Sequence, residues 1–199
     1  MKQLTACLFL VVLLSACAGN QKKVTVLSKG AADVNTDAKT IVATDGSGHE
    51  EKTVTVSGDK VVFKLQSPAG DASVELKENG YYIINVKNDT IIGSYVPYNA
   101  PKQTQDVISQ DVLKQRIDSL NQLIENKNVS AANRNFYILP NTAVRISDNL
   151  DAIVVTPYHQ MRSIEKTGDK DPEVYRFYSI KEMRENIAKL QALTVPDKK

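Results

Sequence analysis

The sequence predicts an α+β protein: an antiparallel β-meander or small β-sandwich, then a helix, a few further strands and a C-terminal helix. Residues 40–98 alternate apolar and polar side chains with Gly, Asn and Asp turns between short runs, which is typical of antiparallel strands. Two later segments instead repeat their apolar residues at three- and four-residue steps, which predicts amphipathic helices. Both patterns fit within one chain of 199 residues.

The first sixteen residues have the layout of a secretory signal peptide. Lys2 supplies a positive charge, residues 4–14 are almost wholly apolar, and the small residues Ser15 and Ala16 follow. The apolar run is shorter than the ~20 residues that a bilayer-spanning helix needs, so cleavage is expected.

The four residues Leu14, Ser15, Ala16 and Cys17 resemble the lipobox of bacterial lipoproteins. The resemblance implies that the Cys17 thiol receives a diacylglyceryl group, that the signal is cut before it, and that the new amine is acylated. It also implies that the bilayer, reached through the acylated Cys17, is a partner. Ala18 is not the Asp that favours inner-membrane retention in enterobacterial lipoproteins, and no acidic run follows. The expected location is therefore the outer membrane, lipid-anchored and facing the periplasm.

Residues 17–39 are predicted to form the acylated N-terminus and a polar tether, with one short strand at residues 24–27. Cys7 lies in the signal and Cys17 would be lipidated, so no cysteine remains for disulfides, thiolate zinc sites or nucleophilic catalysis. The formal net charge is only +2, which argues against nucleic acid as a partner because that would require a concentrated basic face.

The β-rich region, residues 40–98, contains six predicted strands at 40–44, 52–57, 60–66, 73–77, 81–87 and 90–96. The segment at 81–87 is apolar on both sides, so we expect it to be the central strand.

An α+β region, residues 99–195, is expected to pack with the β-rich region. A helix is predicted over residues 105–126, followed by strands at 136–139, 143–146, 152–156 and 175–178. The first helix has an apolar stripe of Leu113, Ile117, Leu120 and Ile124. The last helix begins with Ser179 and Glu182, the spacing of a capping box, and ends before Pro196.

The sequence contains few residues that indicate catalysis or metal binding. His49 and His159 lack the spacing of a zinc protease, and the segment around His49 is interpreted as a solvated turn. Asp169, Asp171 and Glu173 alternate as calcium ligands do but lack the remaining EF-hand positions, so an acidic turn is expected. We therefore predict no catalytic residues, no metal and no cofactor.

Tyrosines near strand ends are the candidates for a contact surface, because their rings can pack against a partner while their hydroxyls remain exposed to solvent. These candidates are Tyr95, Tyr98, Tyr158 and Tyr175, although packing over the core is the simpler interpretation. The triplets at Thr90 and Ser119 resemble bacterial O-glycosylation acceptors, but such short patterns arise by chance.

Three functions are consistent with this sequence. The leading hypothesis is a membrane-anchored envelope lipoprotein with a non-catalytic binding or structural role, whose partner is an envelope protein or a glycan. The alternatives are a hydrolase that acts on an envelope polymer through a carboxylate site, and an accessory subunit of an envelope complex. A structure that placed His159 beside an acid would favour the hydrolase.

Overall fold

A computed structural model describes residues 20–97, 109–161 and 170–194. Within these ranges the chain forms twelve strands and two helices, which confirms the α+β class. The strands are β1 (Gln21–Lys29), β2 (Ala32–Asn35), β3 (Thr40–Ala43), β4 (His49–Ser57), β5 (Val61–Ser67), β6 (Gly70–Leu76), β7 (Gly80–Asn85), β8 (Ile91–Val96), β9 (Asn135–Ile138), β10 (Thr142–Ser147), β11 (Ile153–Val155) and β12 (Val174–Ser179). The helices are α1 (Gln110–Ile124) and α2 (Ile180–Ala192).

The described strands form three four-stranded sheets that stack as layers. The central sheet has the order β10-β7-β1-β4, the outer sheet β2-β3-β5-β6, and the helix-side sheet β11-β12-β8-β9. One apolar cluster joins the central sheet to the outer sheet, and a second joins its opposite face to the helix-side sheet. A third cluster lies between the helix-side sheet and the two helices. The central sheet is therefore covered on both faces.

Strand β7 lies inside the central sheet, as its two-sided apolar pattern predicts. Each of its six residues is buried, because the outer sheet covers one face and the helix-side sheet the other. Tyr82 and Ile84 face the outer sheet, whereas Tyr81 and Ile83 face the helix-side sheet.

The prediction of a polar tether is wrong for residues 21–39. These residues include β1 and β2, and β1 pairs with β4 on one side and β7 on the other. Residues 24–27 do form part of a strand, as expected. The polar side chains of β1 are buried because they find partners: Lys22 Nζ donates to the carbonyl of Gly58, and Thr25 Oγ1 lies 2.9 Å from the Tyr81 hydroxyl.

The sheets also contain three parallel pairs in addition to the antiparallel pairing of a meander: β1 with β7, β3 with β5, and β11 with β12. The N-terminal strand and the later region share the central sheet, since β10 pairs with β7. Strands β9 and β12 flank β8 in the same way, so residues 40–97 and the following region form shared layers.

The helices cover the outer face of the helix-side sheet. Leu113 and Ile117 of α1 pack with Met183 and Ile187 of α2 around Ile92 of β8. Helix α2 begins with the predicted capping box: Glu182 N–H donates to Ser179 Oγ, and Ser179 N–H donates to Glu182 Oε2. Helix α1 begins at Gln110, and residues 105–108 of the predicted helix, like Pro196, lie outside the described residues.

Candidate ligand-binding site

Segments that are distant in the sequence enclose a cavity of about 350 Å³ at one end of the central sheet. Lys29 ends β1, His49 begins β4, and Lys87 follows β7. From the helix-side sheet come Tyr158 and Ser179, the residue that caps α2. The remaining walls are Asp45, Pro68, Val86, Asn88 and Asp89. This volume is at the lower end of the usual range for small-molecule sites.

Lys87 is the most unusual residue of this cavity. Its side chain is only 6% exposed, and its Nζ lies 3.3 Å from His49 Nδ1. Burial lowers the pKa of the Lys87 ammonium, while the more distant carboxylates of Glu51, Glu182 and Asp89 act in the opposite direction. None of the described carboxylates forms an ion pair with it. Among the described residues, the only hydrogen-bond partner of this buried cation is therefore a neutral ring nitrogen, although an ammonium has three N–H donors.

His49 and Tyr158 form an aromatic stack beside this ammonium. Their ring centroids are 3.9 Å apart at an interplanar angle of 18°, and Lys87 Nζ lies 5.8 Å from the Tyr158 ring centroid. Burial, and then the charge of Lys87, lower the pKa of His49, so the ring is neutral at pH 7 and its Nδ1 can accept from Lys87.

Tyr158 is held by the start of α2. Its backbone N–H donates to Glu182 Oε1 at 2.7 Å, and its hydroxyl donates to Ser179 Oγ at 3.0 Å. The capping box of α2 therefore also positions an aromatic wall of the cavity.

A Thr-His-Glu group lines a second, separate pocket. Thr156 Oγ1 donates to Glu51 Oε1 at 2.5 Å, and His159 Nδ1 lies 2.9 Å from the same carboxylate oxygen. The Thr156 hydroxyl is also 3.1 Å from His159 Nδ1. In a catalytic triad the carboxylate and the hydroxyl engage opposite ring nitrogens. Here both face Nδ1, so the imidazole does not relay a proton from the hydroxyl to the carboxylate.

A second charged group, which we call the Glu173 cluster, consists of Arg134, Ser147, Glu173 and Tyr175. Glu173 Oε1 accepts from Arg134 Nη2 at 2.5 Å and from the Tyr175 hydroxyl at 2.6 Å. Its Oε2 accepts from Ser147 Oγ at 2.9 Å. Burial, followed by the contact with Glu173, raises the pKa of Tyr175 to about 12.

The three tyrosine candidates that the structure describes do not form one contact surface. Tyr175 is 1% exposed and belongs to the core, so its prediction as a surface residue is wrong. Tyr95 lies against Tyr175, with the Arg134 guanidinium 4.1 Å from its ring centroid. Tyr158 is 45% exposed and lies at the other end of β12, beside the cavity. Tyr98 lies outside the described residues.

Other predicted positions are placed as follows. Leu14, Ser15, Ala16 and Cys17 lie outside the described residues, as does Asp169. Glu173 belongs to a buried cluster rather than to a solvated acidic turn. The Ser119 hydroxyl donates to the carbonyl of Gln115 within α1.

In the described part of the chain, no three His, Cys, Asp or Glu side chains are grouped so that they could hold a metal ion. Neither described helix is both long and apolar enough to cross a bilayer. Comparison with protein-family models, curated proteins and solved structures finds no match to this chain.

The sequence interpretation missed Lys87 and the contact of His49 with it, although His49 is exposed, as expected of a solvated segment. A lysine at the end of a run that is apolar on both sides was the available signal, because such a position predicts a buried side chain. His49 gave no such signal, because its environment depends on Lys87 and Tyr158, which are distant in sequence.

Proposed function

We propose that this chain is a lipid-anchored lipoprotein of the bacterial cell envelope with a non-catalytic binding role, and that the cavity around Lys87 is its binding site. The lipobox at Leu14–Cys17 supports the anchor, and Ala18 supports the outer membrane facing the periplasm. The observation that carries the binding role is the buried Lys87 ammonium, which lines a cavity and forms no ion pair with any carboxylate that the structure describes. Unpaired buried charges reduce stability, and functional sites are where they are commonly found.

The cavity supports binding better than it supports catalysis. Its aromatic stack and apolar walls suit the body of a small ligand, and the single buried cation can fix its orientation. Two of the nearby carboxylates are already held by other residues: Glu182 by Tyr158 and Ser179, and Glu51 by Thr156 and His159.

Two measurements test the two parts of this proposal. Labelling cells with a radioactive fatty acid should mark the wild-type protein and leave Cys17→Ala unlabelled; equal labelling of both would refute the anchor.

Native mass spectrometry of the protein purified from its own envelope should show a small molecule bound to a fraction of it. Loss of that added mass in a Tyr158→Ala variant would place the ligand at the cavity, and persistence in the variant would place it elsewhere.

A hydrolase acting on an envelope polymer is the second candidate, because His159 does lie beside an acid, Glu51. The test is the activity of the purified chain on peptidoglycan and envelope glycans. Activity that is lost in Glu51→Gln, a change that preserves the shape of the side chain, would establish the hydrolase and displace the binding role.

A further inference from the structure

We propose that the cavity binds a small organic monocarboxylate, with the Lys87 ammonium donating to its carboxylate and its apolar body packed against Pro68, Val86 and Tyr158. This inference rests on the proposed binding role and specifies the chemistry of the ligand.

The first argument is the missing partner of Lys87. In the described residues its ammonium makes a single 3.3 Å contact, to His49 Nδ1, which leaves two N–H donors for a ligand. An anion that reaches a poorly solvated ammonium gains more than it would in water, because the effective dielectric is low. A carboxylate accepts two such hydrogen bonds with its two oxygens.

The second argument concerns the nearby carboxylates, which do not already neutralise Lys87. Glu51 is held by Thr156 and His159, and Glu182 is held by Ser179 and Tyr158. Asp45, Asp89 and the rim cation Lys29 are exposed, so solvent and salt screen their charges. The buried ammonium therefore dominates the selection of charge inside the cavity.

The third argument separates a carboxylate from phosphate and from neutral compounds. One ammonium can neutralise one negative charge, whereas a dianion would leave excess charge close to Glu51 and Glu182, whose fields reach Lys87. The apolar walls would remain uncovered by an inorganic anion, which favours an organic body.

The test is isothermal titration calorimetry of the full chain in detergent with three probes: benzoate, benzamide and inorganic phosphate. Benzamide has the shape of benzoate without its charge. We expect benzoate to bind at least about tenfold more tightly than benzamide or phosphate, the ratio that one charge-assisted hydrogen bond supports. Equal binding of benzamide, or tighter binding of phosphate, would overturn the inference; this comparison needs only the wild-type protein.

Two variants locate the anion. Lys87→Met should weaken benzoate binding at least about tenfold, whereas Lys127→Met, the same change at an exposed lysine that does not line the cavity, should alter it by less than about twofold. Unchanged affinity in Lys87→Met would refute the role of Lys87, and thermal melts of both variants verify that they fold.

The outcomes also separate this inference from the proposed function. If benzamide or a neutral sugar binds and shifts the His49 ring resonances, the proposed binding role is supported and the preference for a carboxylate is refuted. If benzoate binds as expected but Cys17 carries no lipid, the carboxylate site is supported and the lipid anchor is refuted.

Discussion

The Glu173 cluster and the Lys87 cavity each contain a charged side chain that is largely removed from solvent, but the fold surrounds the two charges differently. Glu173 is surrounded by its own partners: Arg134, Tyr175 and Ser147 supply three donors to its two oxygens. Lys87 is more deeply buried, and His49 Nδ1 is its only hydrogen-bond partner in the part of the chain that the structure describes. Within the described residues, the fold pairs the Glu173 carboxylate with a cation and leaves the Lys87 ammonium without an ion-pair partner. The difference predicts that the Glu173 cluster stabilises the structure, whereas the burial of Lys87 reduces its stability.

The largest expected effect comes from breaking the complete cluster. Arg134→Met removes the cation from Glu173 and should lower the free energy of unfolding by about 2 kcal/mol, below the full cost of breaking a buried pair because Arg134 is partly exposed. Chemical denaturation measures the change. The control is Lys127→Met, whose pair with Glu125 is exposed on both sides and should contribute less than about 1 kcal/mol. Equal losses in the two variants would remove the distinction between a built cluster and a surface pair.

A smaller loss is expected from Tyr175→Phe, about 1 kcal/mol at neutral pH, because one hydrogen bond to Glu173 disappears. The pH dependence gives a sharper result. The folded pKa of Tyr175 is about 12 against an ordinary value of 10.0, so its contribution is fully present below pH 10 and is lost as pH rises towards 12. Denaturation between pH 9 and pH 11 should therefore show a steeper alkaline loss in the wild type than in Tyr175→Phe. Parallel curves would contradict this assignment.

Lys87→Met should change the stability in the opposite direction from the two variants of the Glu173 cluster. Removing an unpaired buried ammonium should leave the stability unchanged or raise it by up to about 1 kcal/mol, while carboxylate binding is lost. The pKa of Lys87 is lowered below 10.5 in the folded protein, so the unfolded chain binds more protons and wild-type stability rises relative to the variant as pH approaches 10.5. Thermal melts at pH 7 and pH 9.5 measure both effects. A clear destabilisation at pH 7 would show that Lys87 is satisfied within the fold.

The smallest expected effect is the change that Lys87→Met causes in the pKa of His49. Burial is the main reason that its pKa is lowered and Lys87 the second, so Lys87→Met should raise the pKa of His49 without restoring it to 6.5. Titration of the ring protons by NMR measures the shift, with Lys29→Met as the weaker comparison. An unchanged His49 pKa in Lys87→Met would show that the two groups are not coupled.

Local patterns predicted much of this fold. The alternation in the predicted strand 73–77 places Val74 and Leu76 on one face, and both are buried in β6. The three-residue spacing of Ser179 and Glu182 predicted the hydrogen bonds that start α2. Such features depend on neighbours in the sequence, which is why they can be read directly.

Features that depend on distant partners could not be predicted in this way. The polar residues of β1 made it resemble a tether, yet Lys22 is fully buried because its ammonium reaches the Gly58 carbonyl. The close packing of Gly93 on the Phe177 ring, where a Cβ would lie 2.2 Å from a ring carbon, is equally invisible in the sequence. The cavity belongs to this class, since Lys87 and His49 meet Tyr158 only when the central sheet and the helix-side sheet stack.

The place of β1 in the central sheet has a geometric consequence for a lipid-anchored chain. From Cys17 to Gln21 the backbone can extend at most roughly 14 Å, so a lipid on Cys17 would hold the Gln21 end of the sheet close to the headgroups. The nine residues of β1 rise about 26 Å from there to Lys29, at the rim of the cavity. If β1 is oriented perpendicular to the membrane by this short connecting segment, the cavity opens towards the aqueous phase. Molecules would then enter it from solution rather than from the bilayer.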